Sequence, residues 1–349
     1  MHFVRPRRVT LREVAERAGV SPTTASFVLA GREDMRISEE ARLRVRRAAA
    51  ELDYRPNLTA RSLRTRVTRT IALISDTIAT RQYGGAMVYG ALTTALEDEH
   101  LLFVTETEGD PDMEARLVED LLDRQVDGFV YASMFTRQVR LPKALKGHPV
   151  VLLNCTDGDP ARPAVLPDER GAGRSAAGVL LAAGHRDGIV VVGETPSGVY
   201  AARERLAGIE EALAAAQTGP AAVLECSWWP ESAYEAVRYT LTHGMLPRAL
   251  ICLNDRVAFG AYQAMQEAGA RIPQDVSVVS FDDSDLAGWL RPALTSVALP
   301  HFELGRRAVR ILLAPEPVEG LERVPMPVRQ RSSVAAPRPD ARLGSRDHG

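Results

Sequence analysis

Cysteine, long apolar runs and catalytic groupings are what this 349-residue chain has least of. Its three cysteines, Cys155, Cys226 and Cys252, lie in or beside apolar stretches without CxxC or Cys/His spacing, which excludes a disulfide framework or zinc module and implies reduced, buried thiols. No apolar run reaches the ~18 residues of a membrane span, and the arginines of MHFVRPRRVT have no apolar segment behind them, so neither a membrane partner nor a secretory signal is expected. The expected compartment is the cytoplasm. Seven histidines are scattered, and no nucleophile and base fall together. GAGRSA at 171–176, followed by Glu194, is a weak match to a dinucleotide fingerprint, because the run before it, AVLPDER, is short and broken by proline. The chain is therefore expected not to be an enzyme and to need neither cofactor nor metal.

What is present begins with charge. The length suits about two to three domains, and 45% hydrophobic with 25% charged residues describes a globular chain with ample core. A formal net charge of −2 conceals a division: residues 1–69 hold sixteen arginines against eight acids, a formal +8, leaving −10 for residues 70–349. A small basic module on an acidic body suits a polyanionic partner, although a basic face alone is more commonly just solvated.

Local signals within that module supply the second reason. In VTLREVAERAGVSPTTASFVLAG, Thr10 and Glu13 form a capping-box pattern, and Leu11, Val14, Ala15 and Ala18 share one helical face. Gly19 supplies a left-handed exit, Ser21 caps a second helix with Pro22 at its first position, and Ala25, Val28 and Leu29 form its buried face. This is a helix-turn-helix, with small Ala15 allowing a close crossing. A third helix capped by Ser38 carries Leu43, Val45, Ala49 and Leu52 inward and Arg42, Arg44, Arg46 and Arg47 outward. On a recognition helix, Pro22, Thr23 and Phe27 would face the major groove, while the hydroxyls of Thr10, Ser21, Thr24 and Ser26 suit phosphate oxygens. The plainer alternative is a three-helix packing unit whose hydroxyls are only caps.

VTLREVAERAGVSPTTAS, ISEEARLRVRRAAAELDYRPN and LTARSLRT together resemble the lac-repressor/galactose-repressor family of bacterial transcription regulators, and the resemblance runs on to about Ser333. It implies a hinge helix on double-stranded operator DNA after DYRPN, with Asn57, Ala60 and Leu63 at the matching positions and Leu63 as a minor-groove wedge. Leu63 facing its own core is the alternative. Two departures matter: Phe27 stands where the family usually has arginine, and Ala30 where it often has asparagine. Phenylalanine cannot make a bidentate contact to guanine; it packs against a thymine methyl or folds inward.

From residue 70 short β-rich runs alternate with helical ones, from TIALIS to VSVVSFDD, the pattern of parallel sheets covered by helices. A break rich in Asp, Gly and Pro near 155–170 divides this region into two subdomains. The expected fold is an all-α helix-turn-helix headpiece plus an α/β core of two doubly wound parallel-sheet subdomains, which the resemblance makes similar to periplasmic binding proteins. The expected division is a flexible basic arm at 1–8, the DNA-binding domain at 9–55, a hinge at 56–69, an effector-binding and dimerisation core at 70–333, and a disordered tail at 334–349. Within the core, one subdomain takes about 70–165 plus 300–318 and the other about 166–299 plus 319–333.

Ligands of open α/β sheets bind beyond the carboxyl ends of strands, where Asp76, Asn254 and Asp282 fall. The resemblance implies a small-molecule effector, a sugar or related metabolite, between the subdomains, with pocket positions at Asp168, Arg205, Trp228, Asn254 and Asp282. Carboxylates and amides suit hydroxyl pairs, and an indole suits a sugar ring. Each has a plainer role: Asp282 or Asp283 ends a strand, Asn254 caps the next helix, and Arg205 pairs with Glu210 or Glu211. Trp229 beside Trp228 leaves the register open by one residue, and Glu169 stands where relatives often have asparagine. The resemblance further implies a homodimer on a pseudo-palindromic site, the tail lacking the leucine heptad of a tetramer.

Overall fold

The structure, a computed structural model, describes residues 9–32, 34–55, 67–78, 80, 84–194 and 199–338. It divides into two units, Met1–Thr68 and Arg69–Gly349.

The first unit holds three helices whose ends follow local chemistry. Helix α1, Leu11–Ala18, starts at Thr10, which accepts from the Glu13 N–H while the Glu13 carboxylate takes the Thr10 N–H, and stops at Gly19 with φ 66°. Helix α2, Pro22–Leu29, starts at Ser21, whose hydroxyl accepts from the Thr24 N–H. Helix α3, Glu39–Glu51, is capped by Ser38. Val14, Ala15, Ala18, Ala25, Val28, Val45 and Ala48 form their common core. Two expectations for α3 fail. Leu43 is 57% exposed, and Arg42 is buried, donating to the Arg32 and Met35 carbonyls. The buried stripe runs through Ala41, Val45 and Ala48, which leaves Leu43 off it and turns Arg42 inward.

The second unit contains two six-stranded sheets. Strands β1 Thr70–Ser75, β2 Leu101–Glu106, β3 Gly128–Gln138, β4 Val150–Thr156 and β5 Ala164–Pro167 build the first, with helices α4 Gly84–Glu97 and α5 Pro111–Asp123 between them. The chain then passes through α6 Glu169–Ala182, β6 Ile189–Glu194, α7 Tyr200–Ala215, β7 Ala222–Glu225, α8 Pro230–Thr242, β8 Ala249–Cys252, α9 Asp255–Glu267, β9 Ser277–Asp282, α10 Asp285–Trp289 and β10 Thr295–Ala298. It ends with α11 His301–Leu312, β11 Leu321–Val324 and β12 Val328–Arg329. The first sheet runs β11-β5-β4-β3-β1-β2, all parallel, and the second β12-β10-β9-β8-β6-β7, parallel except for β12. Runs such as VVLL and ALIC are buried throughout because helices cover both faces.

Two boundaries move. Leu321–Val324 pairs in parallel with Ala164–Pro167, so this segment joins the first sheet, whereas a division at 319 puts it in the second subdomain. The beginning of the expected tail is tied down: Ala335 exchanges hydrogen bonds with the Ser277 hydroxyl, and Arg338 pairs with Asp275 at 3.0 Å. His185 is buried beside this anchor, with Nε2 3.1 Å from the Ser277 hydroxyl and 3.0 Å from the Ala335 carbonyl. Backbone partners, invisible in composition, decide both boundaries.

Candidate functional site

In the helical unit, Pro22 and Thr23 are exposed at the start of α2, and Thr24 and Ser26 are partly exposed. The hydroxyls of Thr10 and Ser21 serve as helix caps here, and Ser21 shares a 2.8 Å hydroxyl contact with Thr24. Capping leaves these exposed hydroxyls on the outer face with further lone pairs. Phe27 lies outside the buried core cluster, partly buried, and the Arg32 guanidinium sits 5.5 Å from its ring centre. A guanidinium is thus present beside position 27 although none is carried at it. Asn57, Ala60 and Leu63 lie outside the described residues.

Phe27→Ala is expected to change headpiece stability by less than about 1 kcal/mol, because little of the ring is core, while relaxing preference at a thymine-bearing position by roughly 1 kcal/mol or more. Thermal melting beside binding to single-base operator variants checks this. A large loss of melting temperature with unchanged base preference would return Phe27 to the core.

Between the two sheets of the second unit lies a cavity of about 390 Å³, within the size range of about 300–1,000 Å³ that holds organic ligands. Its floor is built on Arg205 of α7, the largest fully buried side chain among the described residues, at 1% exposure. Nε donates to Glu169 Oε2 at 2.6 Å, Nη2 to Glu169 Oε1 at 3.3 Å and to Asp282 Oδ1 at 3.4 Å, and Nη1 to the Leu253 carbonyl and to Asp282. The guanidinium also lies 4.6 Å from the Phe281 ring centre and 5.4 Å from that of Trp228. Burial opposes its charge, but Glu169 and Asp282 more than compensate, so its pKa is raised. Burial pushes the Asp282 carboxyl up to about 7 against the pull of Arg205. Asp282 sits at the end of β9 with φ 101°, a strained value for a non-glycine residue that aims the carboxylate from the strand end.

Arg205, Trp228, Asn254 and Asp282 all line the cavity. Asn254 also fills its plainer role: its side-chain oxygen caps α9 by accepting from the Val257 N–H, and its amide donates to the Trp228 carbonyl. Trp228 is fixed by its indole N–H on the Gly193 carbonyl, 2.7 Å, and Trp229 stands beside it in the lining, 57% exposed.

Two expected positions are elsewhere. Asp168 is not in this lining; its carboxylate caps α6 by accepting from the Gly171 N–H at 3.0 Å, and the next residue, Glu169, turns inward to Arg205. Asp76 is likewise absent: Ser133, Thr77, Met134 and Arg137 all donate to it at 2.7–2.9 Å, tying the end of β1 to β3. Arg205 pairs with Glu169 and Asp282, not with Glu210 or Glu211 of its own helix. Residues the sequence did not single out include Phe135, Asn154 and His301. Asn154 had a signal, an amide ending the apolar run PVVLLN as Asn254 ends ALICLN; Phe135 had none. Burial pushes the His301 imidazole down to about 4, so it is neutral at pH 7, and its Nδ1 has no hydrogen-bond partner. Among the described residues no cluster of His, Cys, Asp and Glu is arranged to hold a metal ion, and no helix is long and apolar enough to cross a membrane.

Comparison with known proteins covers both units. The family described as bacterial regulatory proteins, lacI family, matches residues 10–57, and that of periplasmic binding proteins and the sugar binding domain of the LacI family matches residues 73–330. The ribose operon repressor of Haemophilus influenzae is 32% identical over 309 residues, covering 87% of this chain and 91% of that protein. The sucrose operon repressor of Escherichia coli is 33% identical over 334 residues, covering 93% and 99%. A crystal structure of the lac repressor dimer bound to operator and an anti-inducer matches with a TM-score of 0.75 at 27% identity, covering 95% of this chain and 100% of that one.

Proposed function

The chain belongs to the lacI family of bacterial regulatory proteins, and from that membership we propose that it is a sequence-specific DNA-binding transcriptional regulator of the repressor type. It acts as a homodimer on a pseudo-palindromic double-stranded operator and is switched by a small molecule, a sugar or sugar derivative, held in the cavity between the two sheets. The observation that carries this is the pairing, in one chain, of a capped helix-turn-helix with a two-sheet cleft floored by Arg205, Glu169 and Asp282. Pro22, Thr23 and Phe27 face bases, and Thr10, Ser21, Thr24 and Ser26 take phosphates. Asn57, Ala60 and Leu63 belong to a hinge that bends the operator. Arg205, Trp228, Asn254 and Asp282 serve the effector, joined by Glu169 in place of Asp168. The role is binding and switching rather than catalysis, as the relatives' repressor names suggest, and the effector acts only through its differential affinity for two core arrangements.

Gel-shift and footprinting with genomic fragments test this. Specific binding should weaken by about 10³-fold or more between roughly 50 and 200 mM salt, as several phosphate contacts per dimer require. Absence of salt-sensitive, sequence-preferring binding in every effector state would sink the regulator reading.

A further inference from the structure

Hydrogen-bond accounting around the cavity restricts what it can hold. All three nitrogens of Arg205 already donate, to Glu169, Asp282 and the Leu253 carbonyl. The Trp228 indole donates to Gly193, the Asn254 amide to Trp228, and the Asn154 amide to the Ser133 and Met134 carbonyls. The Ser284 hydroxyl donates to the buried Asp255. Arg256, the second guanidinium of the lining, lies over the Trp229 ring at 4.8 Å. The Asp282 carboxylate remains a quarter exposed toward this space. A phosphate or carboxylate group brings only acceptors, and at this floor would meet the Asp282 carboxylate and an Arg205 whose nitrogens all donate already; a hydroxyl brings a donor that Asp282 can accept.

The walls impose a second condition. Phe135, on β3 of the first sheet, is 65% exposed, and Trp229, at the start of α8 on the second, is 57% exposed; both line the cavity. Met134, Leu299 and Leu304 add apolar surface to the same lining. Two exposed aromatic side chains, one from each subdomain and one of them with Arg256 over its ring, give the lining apolar surface that a flat apolar group can cover.

Resting on the proposed role of this cavity as the effector site, the geometry points to an uncharged polyol bearing an apolar or aromatic substituent. The hydroxylated part meets Asp282, the substituent lies against Phe135 and Trp229, and phosphorylated and carboxylated sugars are excluded. Glu169 is the residue that sets this exclusion, by occupying Arg205.

The full-length protein can be titrated by intrinsic fluorescence, since Trp228 and Trp229 line the cavity and Trp289 is exposed. The ligands are common hexoses and pentoses, their methyl and phenyl glycosides, their phosphates and the uronic acids. In at least one sugar series the phenyl glycoside should bind about ten-fold or more tightly than the free sugar, and no phosphate should titrate. Phe135→Ala should lower the ratio of phenyl to methyl glycoside affinity by about ten-fold, and Glu169→Gln should gain measurable affinity for the phosphate. Tighter binding of a charged sugar by the wild type, equal affinities for phenyl glycoside and free sugar, or no saturable response to any neutral glycoside overturns the proposal. A glycoside that binds without altering gel-shift behaviour overturns the regulator reading and leaves this one standing. Operator release by a charged metabolite does the reverse.

Discussion

Arg205→Ala should destabilise the effector core by about 3–5 kcal/mol, a drop in melting temperature on the order of 10 °C for a unit of this size. Removing the guanidinium leaves Glu169, 3% exposed, and Asp282 without their common cation, the Leu253 carbonyl without its donor, and a void against the Phe281 and Trp228 rings. The loss measures uncompensated burial more than the intrinsic worth of the ion pair, since burying two charges takes solvation from both. Arg205→Ala combined with Glu169→Gln should therefore cost less than the two single losses added. Arg205→Lys should not rescue, because one ammonium cannot reach Glu169, Asp282 and Leu253 in the directions a planar fork does. Calorimetry of Arg205→Ala, Glu169→Gln, the double variant and Arg205→Lys checks this, and a shift under about 3 °C for Arg205→Ala would show the pair to be dispensable.

The second large effect lies where α6 crosses α7. A Cβ added at Gly173 would stand 2.1 Å from the Arg205 carbonyl oxygen, and one added at Gly208 would stand 2.0 Å from that of Arg170. Backbone cannot yield there as a side-chain end can, so Gly173→Ala should cost about 3 kcal/mol. Because the helix pushed away carries Arg205, ligand affinity should fall as well. Gly178, in the interior of α6 with open space at its Cβ position, provides the control: Gly178→Ala should stabilise by roughly 0.5–1 kcal/mol. Equal effects at the two positions would exclude the crossing as the reason for Gly173. The same contacts explain GAGRSA, the weak dinucleotide pattern. Gly173 permits the helix crossing, and a Cβ at Gly171 would stand 2.1 Å from the Asp168 carboxylate, displacing that helix cap.

The ends of the three headpiece helices were legible residue by residue. Thr10, Glu13, Gly19, Ser21, Pro22 and Ser38 act on backbone groups within three or four positions of themselves, so type and spacing suffice. The alternation that builds the two sheets was legible for the same reason, as buried parallel strands must be apolar throughout. The pocket was legible in part: Arg205, Trp228, Asn254 and Asp282 line it, Asp168 misses it by one residue, and Asp76 lies elsewhere. Asn254 and Asp282 end apolar runs, which locates them at strand ends, but whether Asp168 or Glu169 meets Arg205 depends on the first turn of α6. There the N-cap is spent on the Gly171 N–H, and the following residue points inward. Leu43 and Arg42 show the same limit, since consecutive helical residues differ by about 100° and the partner surface selects among them.

Local chemistry and periodicity in the chain alone determined that a basic three-helix unit precedes a two-sheet α/β core, and where its caps and strand ends fall. The tertiary structure decided what depends on partners far apart in sequence. It placed Leu321–Val324 beside Ala164–Pro167, anchored Ala335 on Ser277, enclosed Asp76 among Ser133, Met134 and Arg137, and brought Phe135 and Trp229 into one cavity. None of these residues carries a local signal for its partner, because each contact exists only once both sheets have formed and closed over the same space.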